Sequence, residues 1–176
     1  HEIARLLKIE NKLNNKATQL SGGEMQRVSL GRALVRNPSI YLMDEPLSSL
    51  DAKLKEELRV ELKKIQADLN ATILYVTHDQ IEATTMADKI GVLKEGILTQ
   101  VGTPQEIYEE PNSIYVANRL GSPKINILKN KQIENSKNSS ASYVGIRPED
   151  IKIDQNGLYD VKIETTELLG AETLVS

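Results

Sequence analysis

Two short segments constrain this chain more than any other feature of its sequence. Leu20 to Glu24 is Leu-Ser-Gly-Gly-Glu at the start of a predicted helix, and the apolar run Ile40 to Met43 leads directly into Asp44, Glu45 and Pro46. Paired glycines leave the first amides of a helix approachable to an anion, and a buried parallel strand presents its final residues at the ligand crevice of an α/β sheet. The two segments in this order predict phosphate chemistry.

The composition excludes several other classes of function. The 176 residues carry a net charge of -3, and no basic stripe follows any face of the chain, so we expect no nucleic-acid partner. Cysteine is absent, which removes thiolate catalysis and cysteine metal sites and is typical of a reducing compartment such as the cytoplasm. No apolar run approaches the roughly 20 residues that span a bilayer.

Hydrophobic spacing predicts an α/β domain followed by a β-rich one. The amphipathic helix predicted at Asp51 to Leu69 lies between the strand that starts at Ile40 and a second buried strand, Ile73 to Val76, and this order favours a parallel sheet. Further elements are predicted as follows: helices near 2–9, 24–36, 80–87 and 111–119, a helix that opens at Thr103 and Pro104, and a hairpin of 90–93 with 97–101.

From residue 121 the pattern changes to short β-like runs. We expect strands at 143–146, 151–153 and 159–163, which together predict a second, all-β domain. The segment from Asn130 to Ser142 is rich in Asn, Ser and Lys and predicts a mobile loop.

Ser21 and Glu24 allow two compatible interpretations. Their spacing is that of a capping box, in which the serine and the glutamate each bond the other's backbone amide. The same helix start, with Gly22 and Gly23 bare, would also accept a γ-phosphate.

Asp44, Glu45 and His78 are the candidate catalytic side chains. Asp44 suits Mg²⁺ through water, and Glu45 suits orienting or deprotonating an attacking water. His78 follows the second predicted strand and would reach the same crevice to hold the γ-phosphate. The alternatives are a surface turn for the two acids and a structural role for the histidine; Ser48 to Asp51 likewise has an alternative as a helix cap.

Four of these segments, in this order, resemble the nucleotide-binding subunits of ABC transporters. Leu20 to Glu24 resembles their signature motif, Ile40 to Glu45 their Walker B strand, Ser48 to Asp51 their D-loop, and His78 their switch histidine. Glu24 departs from the glutamine most frequent in the family. The resemblance implies the C-terminal part of an ABC ATPase domain over 1–120, P-loop NTPase-like with a mostly parallel sheet and flanking helices.

Residues 121–176 resemble part of the OB-like, TOBE-type accessory domain of ATPases from maltose-type sugar importers. Two segments carry this likeness, Gly121 to Asn126 and Gly145 to Asp150. The resemblance implies ATP and Mg²⁺ as cofactors, transmembrane permease subunits as partners, and a peripheral position on the cytoplasmic face of the membrane. It also implies a pair of ATPase subunits, in which Ser21, Gly22, Gly23, Glu24 and Asp51 contact the ATP held by the other subunit.

The chain contains no G-x-x-x-x-G-K-[ST] loop, whose amides and lysine hold nucleotide phosphates. We therefore expect a truncated importer ATPase that alone neither binds ATP tightly nor hydrolyses it. The alternative is a non-enzymatic interaction or regulatory module derived from such an ATPase. Polyamine, metal and anion importers share similar ATPases, so the sequence does not identify the solute.

Overall fold

The structure, a computed structural model, describes residues 1–36, 38–130, 141–157 and 159–175. The chain forms two compact units, His1–Ser122 and Pro123–Ser176. The first unit contains helices α1 (Glu2–Leu6), α2 (Gly22–Val35), α3 (Ala52–Leu69), α4 (Gln80–Met86), α5 (Pro104–Glu109) and α6 (Ile114–Ala117), and strands β1 (Ile40–Asp44), β2 (Thr72–Val76), β3 (Ile90–Lys94) and β4 (Ile97–Gly102). The second contains β5 (Asn126–Lys129), β6 (Tyr143–Ile146), β7 (Thr166–Leu169) and β8 (Glu172–Val175).

The predicted strand, helix and parallel strand are confirmed. β1 and β2 pair in parallel, in a register that runs from Ile40 opposite Thr72 to Asp44 opposite Val76, and α3 connects them. Because the two strands end level with each other, the residues that follow them emerge side by side. This register is what positions the candidate site.

Helix α3 forms because its leucines recur on one face. Leu54, Leu58 and Leu62 are buried there, and the Asp51 carboxylate caps the helix by accepting from the Leu54 amide at 3.0 Å. The buried core of this region joins the helices to β1 and the loop after it; its members are Ala4, Leu7, Ile9, Leu30, Leu34, Tyr41, Met43, Leu47, Leu50, Leu54, Leu58 and Leu62.

The strand β1, predicted to be buried, is buried on one face only. Tyr41 and Met43 point into the core, whereas Ile40 and Leu42 are 57% and 76% exposed. Successive side chains of a strand point to opposite faces, and the helices of the core cover only the face that carries Tyr41 and Met43. The described parallel pairing is confined to β1 and β2, so a mostly parallel sheet is not seen.

The predicted hairpin is confirmed as β3 and β4, which pair antiparallel. Glu95 and Gly96 form its turn with φ values of 51° and 79°, the left-handed conformations that a two-residue hairpin turn requires. Two predicted helices are shorter than expected: α1 ends before Lys8, whose φ is 53°, and α6 covers only part of 111–119. Among the described residues, no helix is long and apolar enough to cross a membrane.

The second unit matches the sequence predictions less well. Its described strands form two separate antiparallel pairs, β5 with β6 and β7 with β8. The strand at 143–146 is confirmed, but the strand predictions at 151–153 and 159–163 are wrong. Ile153 and Val161 in these segments are 74% and 77% exposed, since β-favouring residues form a strand only where a partner strand is available. The predicted OB-like arrangement is not confirmed, and residues 131–140 of the predicted loop lie outside the described residues.

Candidate functional site

Glu45 and His78 meet at the ends of the parallel strands. Glu45 follows β1 directly, and His78 lies two residues after β2. The imidazole Nδ1 of His78 is 2.7 Å from the carboxylate Oε1 of Glu45. The structure thus brings these two predicted residues into direct contact, although they come from different strands.

The contact defines the chemistry of both groups. An ionised carboxylate can only accept a hydrogen bond, so the proton lies on Nδ1 of His78. This hydrogen bond, followed by the negative charge of Glu45, raises the pKa of His78 above its ordinary value. Both side chains remain open to solvent, with 71% of His78 and 44% of Glu45 exposed. A water or a phosphate oxygen can therefore approach either group.

The backbone of Glu45 is held in an unusual conformation. Its φ is 44°, the left-handed region, which costs a residue with a side chain about 1–3 kcal/mol. Its amide donates to the Val76 carbonyl at 2.8 Å. Its carbonyl accepts from the Ser48 amide at 3.1 Å, from Ser48 Oγ at 3.0 Å and from Gln26 Nε2 at 2.8 Å. These bonds fix the direction in which the Glu45 side chain leaves the strand.

The start of α2 has the predicted capping box. Ser21 Oγ accepts from the Glu24 amide at 3.3 Å, and the Ser21 amide donates to Glu24 Oε2 at 2.8 Å. Lys12 Nζ lies 3.1 Å from Glu24 Oε1. The hydrogen bond from the Ser21 amide, and then Lys12, lower the pKa of Glu24, so this helix start carries a carboxylate that is partly neutralised by a lysine.

The two glycines of this helix start differ in their surroundings. A Cβ at Gly22 would meet no atom within 4 Å, so its backbone faces open space. A Cβ at Gly23 would lie 3.2 Å from the Ser49 carbonyl oxygen, closer than most real contacts. The helix start and the loop after β1 are therefore packed directly against each other at Gly23.

Asp44 and Asp51 lie at opposite ends of that loop. Asp44 is exposed at the carboxyl end of β1, with its oxygens available to a hard cation. Asp51 is also exposed, and its carboxylate caps α3, as the alternative interpretation expected. Within the described ranges, no three His, Cys, Asp or Glu side chains are grouped so as to hold a metal ion.

Two residues that the sequence did not single out support the site. Gln26 contacts the loop after β1 through its side-chain amide. Glu82 of α4 is only 2% exposed and accepts from Tyr75 at 2.9 Å and from Thr77 Oγ1 at 2.8 Å, which braces the segment before His78. Burial, and then the Glu82 carboxylate, raise the pKa of the Tyr75 hydroxyl. Glutamine and glutamate on a helix are usually solvated, so their sequence positions gave no signal of these roles.

Comparison with known proteins shows which family the chain resembles. A model of the ABC transporter family matches residues 1–48. The sn-glycerol-3-phosphate import ATP-binding protein UgpC of Brucella abortus is 48% identical over 188 residues, which cover 99% of this chain and 54% of that protein. The chain is similar to the ATP-binding proteins of the ABC transporter family.

A second ABC importer protein is similar over the same length of this chain. The UgpC protein of Psychromonas ingrahamii is 44% identical over 190 residues, which cover 99% of this chain and 51% of that protein. The chain thus spans about half the length of the curated ABC relatives it matches. The family match contains Ser21, Glu24 and Glu45, whereas His78 lies beyond it and is covered by the alignments with relatives.

Proposed function

We propose that this chain forms part of the ATP-binding subunit of an ABC importer, which hydrolyses ATP to drive uptake of a solute. The observation that supports this proposal best is the 2.7 Å contact between Glu45 and His78 at the ends of two parallel strands. A carboxylate oriented by an imidazole at this edge of an α/β sheet is suited to activating water.

In the proposed mechanism Glu45 is the general base. Its carboxylate orients the attacking water and takes a proton from it, and its fixed backbone keeps the carboxylate in place. His78 holds Glu45 through Nδ1, and its second ring nitrogen is the group that would contact the γ-phosphate. Asp44 would hold Mg²⁺ together with phosphate oxygens, since Mg²⁺ needs only one or two carboxylates from a protein. When bound, the ion offsets the negative charge of the phosphates.

The start of α2 is the proposed contact with a second nucleotide. Ser21, Gly22 and Gly23 would receive the γ-phosphate of ATP carried by a paired ATPase subunit, because the first amides of a helix and its dipole attract anions. Glu24 adds a negative charge here, which Lys12 offsets at 3.1 Å. Asp51, at the other end of the loop after β1, is proposed to contact the same ATP.

The remaining assignments follow from the same proposal. Residues 1–120 would belong to the ATPase domain, and 121–176 to part of a TOBE-like accessory domain. Permease subunits in the membrane would be the partners, and the protein would lie on the cytoplasmic face of the membrane. The relatives are named as sn-glycerol-3-phosphate import proteins, so we propose a carbohydrate or a phosphorylated polyol as the solute.

The test begins with the native reading frame that encodes residue 1. A G-x-x-x-x-G-K-[ST] loop upstream, together with ATP turnover by the full-length protein that Glu45→Gln abolishes, is the expected result. Turnover that survives Glu45→Gln would remove the assignment of the base. A natural start codon immediately before the codon of His1 would instead favour the interaction module, and the catalytic roles would be withdrawn.

A further inference from the structure

We infer that Gln26 is a positioning residue that joins the start of α2 to the backbone of Glu45. The inference rests on the proposed function for its catalytic consequence and on geometry alone for its structural part. Gln26 lies in the second turn of α2, the helix whose first turn contains Gly22 and Gly23. Its side chain ends on the loop that follows β1.

One amide group makes all the contacts. Gln26 Nε2 donates to the Glu45 carbonyl at 2.8 Å and to Ser48 Oγ at 3.2 Å. Gln26 Oε1 accepts from the Ser49 amide at 3.0 Å. A primary amide has two donor hydrogens and one carbonyl oxygen, so this arrangement uses each of its polar atoms.

This pattern requires glutamine at position 26. A glutamate of the same length would accept from the Ser49 amide. Its second oxygen would face the Glu45 carbonyl, and no hydrogen bond would form there because a carboxylate cannot donate. A lysine or arginine would donate to Glu45 and accept nothing from Ser49. A methionine would fill the space and make neither bond.

The bond to Glu45 matters because the carbonyl it holds belongs to a residue in the left-handed conformation. With φ at 44°, the Glu45 backbone is stable only while its neighbours hold it. Ser48 supplies two of the bonds to that carbonyl from within the loop. Gln26 supplies the bond from another element, and thereby ties the loop to α2.

A second contact links the same two elements. The backbone at Gly23 approaches the Ser49 carbonyl so closely that a Cβ would lie 3.2 Å from it. The start of α2 and the loop from Glu45 to Ser49 therefore form one packed body. A phosphate that docks at the start of α2 would move or fix the loop, and with it the Glu45 carboxylate.

The structural part is tested on the 176-residue chain by amide hydrogen exchange measured with NMR. We expect Gln26→Met to speed exchange at the Ser49 amide at least about 10-fold, and Gln26→Glu to leave it protected, since glutamate keeps the acceptor. Ser29→Ala, an exposed change on the same helix, is the matched control. Equal protection of Ser49 in the methionine variant and the wild type would overturn the inference. So would an equal change at the remote Ile107 amide, because that would indicate general destabilisation.

The catalytic part is tested on the full-length protein with its permease. We expect Gln26→Met and Gln26→Glu each to lower kcat about 10-fold to 100-fold while KM for ATP changes less than about twofold, since positioning acts on the chemical step. In a Glu45→Gln background the same changes should have little further effect on single-turnover hydrolysis, since both residues act through one group. Additive losses, or a rise in KM with kcat unchanged, would contradict the inference. If the wild type shows no turnover, the proposed function fails, and hydrogen exchange at Ser49 still decides the structural part.

Discussion

Nδ1 of His78 and Oε1 of Glu45 lie 2.7 Å apart, although 33 positions separate the two residues in the sequence. The parallel register of β1 and β2 produces this contact, because Asp44 and Val76 are opposite each other at the ends of the strands. The left-handed backbone of Glu45 then turns its side chain out of the strand direction. A short hydrogen bond between exposed groups is thus the product of strand register and one strained residue.

The first prediction concerns the titration of His78. Its hydrogen bond to Glu45 raises its pKa above the ordinary 6.5, so Glu45→Gln should move the midpoint back towards that value. The chain contains two histidines, which allows His78 to be followed by NMR with His1 as an internal reference. Because the folded pKa is raised, the pair stabilises the fold fully below pH 6.5, and this contribution is lost as the pH rises through the folded pKa. A midpoint unchanged by Glu45→Gln would contradict the contact.

The second prediction concerns activity in the full-length protein. Glu45→Gln and His78→Ala should each abolish transport and lower ATP turnover about 100-fold or more, the lower range for loss of general base catalysis. Thr99→Ser, a conservative change on β4 away from the site, is the control and should leave turnover within about twofold. Measuring turnover with the permease present checks the outcome, and normal turnover in Glu45→Gln would disprove the role of Glu45 as the base.

Much of the site was predictable from local patterns, and the remainder depends on contacts that no local pattern encodes. The apolar run before Asp44, the leucine spacing of α3 and the Ser21 to Glu24 capping box are each visible within a few residues. The link from Gln26 to Ser49 is not, since a glutamine on a helix is ordinarily solvated and nothing nearby in the sequence specifies its partner. The left-handed φ of Glu45 was equally hidden, because that conformation is unusual for glutamate.

The second unit was harder to predict for a different physical reason. β-propensity reflects packing against a partner strand more than a preference of the backbone itself. Ile151 and Ile153 have β-favouring side chains, yet they lie outside the described strands, whereas Glu172 to Val175 pairs with β7. Strand pairing, which short runs of residues do not determine, decided the outcome.

The third prediction separates the two roles of Ser21. Ser21→Ala removes the oxygen that accepts from the Glu24 amide and should lower the free energy of unfolding by about 0.5–2 kcal/mol. Ser21→Asp keeps a cap and should retain stability, but it places a negative charge where the γ-phosphate is proposed to dock, so transport should fall. Urea denaturation of the chain and transport by the full-length protein check the two expectations. Transport at the wild-type level in Ser21→Asp would count against a phosphate contact.

The fourth prediction concerns acid stability through Glu24. Its pKa is lowered from the ordinary 4.5 by the Ser21 amide and by Lys12. A lowered folded pKa means that Glu24 stabilises the fold above pH 4.5 and that this contribution is lost as the pH falls through the folded pKa. Glu24→Gln should therefore weaken the fall in the free energy of unfolding as the pH is lowered. Lys12→Met should also weaken this fall, because it removes one of the two groups that lower the pKa of Glu24. An acid limb identical in wild type and Glu24→Gln would show that the carboxylate is not coupled to folding.

The last prediction tests the core that positions the site. Leu58 is 1% exposed in the core that joins α3 to β1, so Leu58→Ala should lower the free energy of unfolding by about 2–5 kcal/mol, through lost burial and the cavity left behind. Val60 lies on the same helix and is 65% exposed, so Val60→Ala should change the free energy of unfolding by less than about 0.5 kcal/mol. Urea denaturation of both variants measures the difference. Because Leu58 supports the layer from which Glu45 emerges, a loss as small as that of Val60→Ala would mean that α3 does not hold β1 as the structure describes.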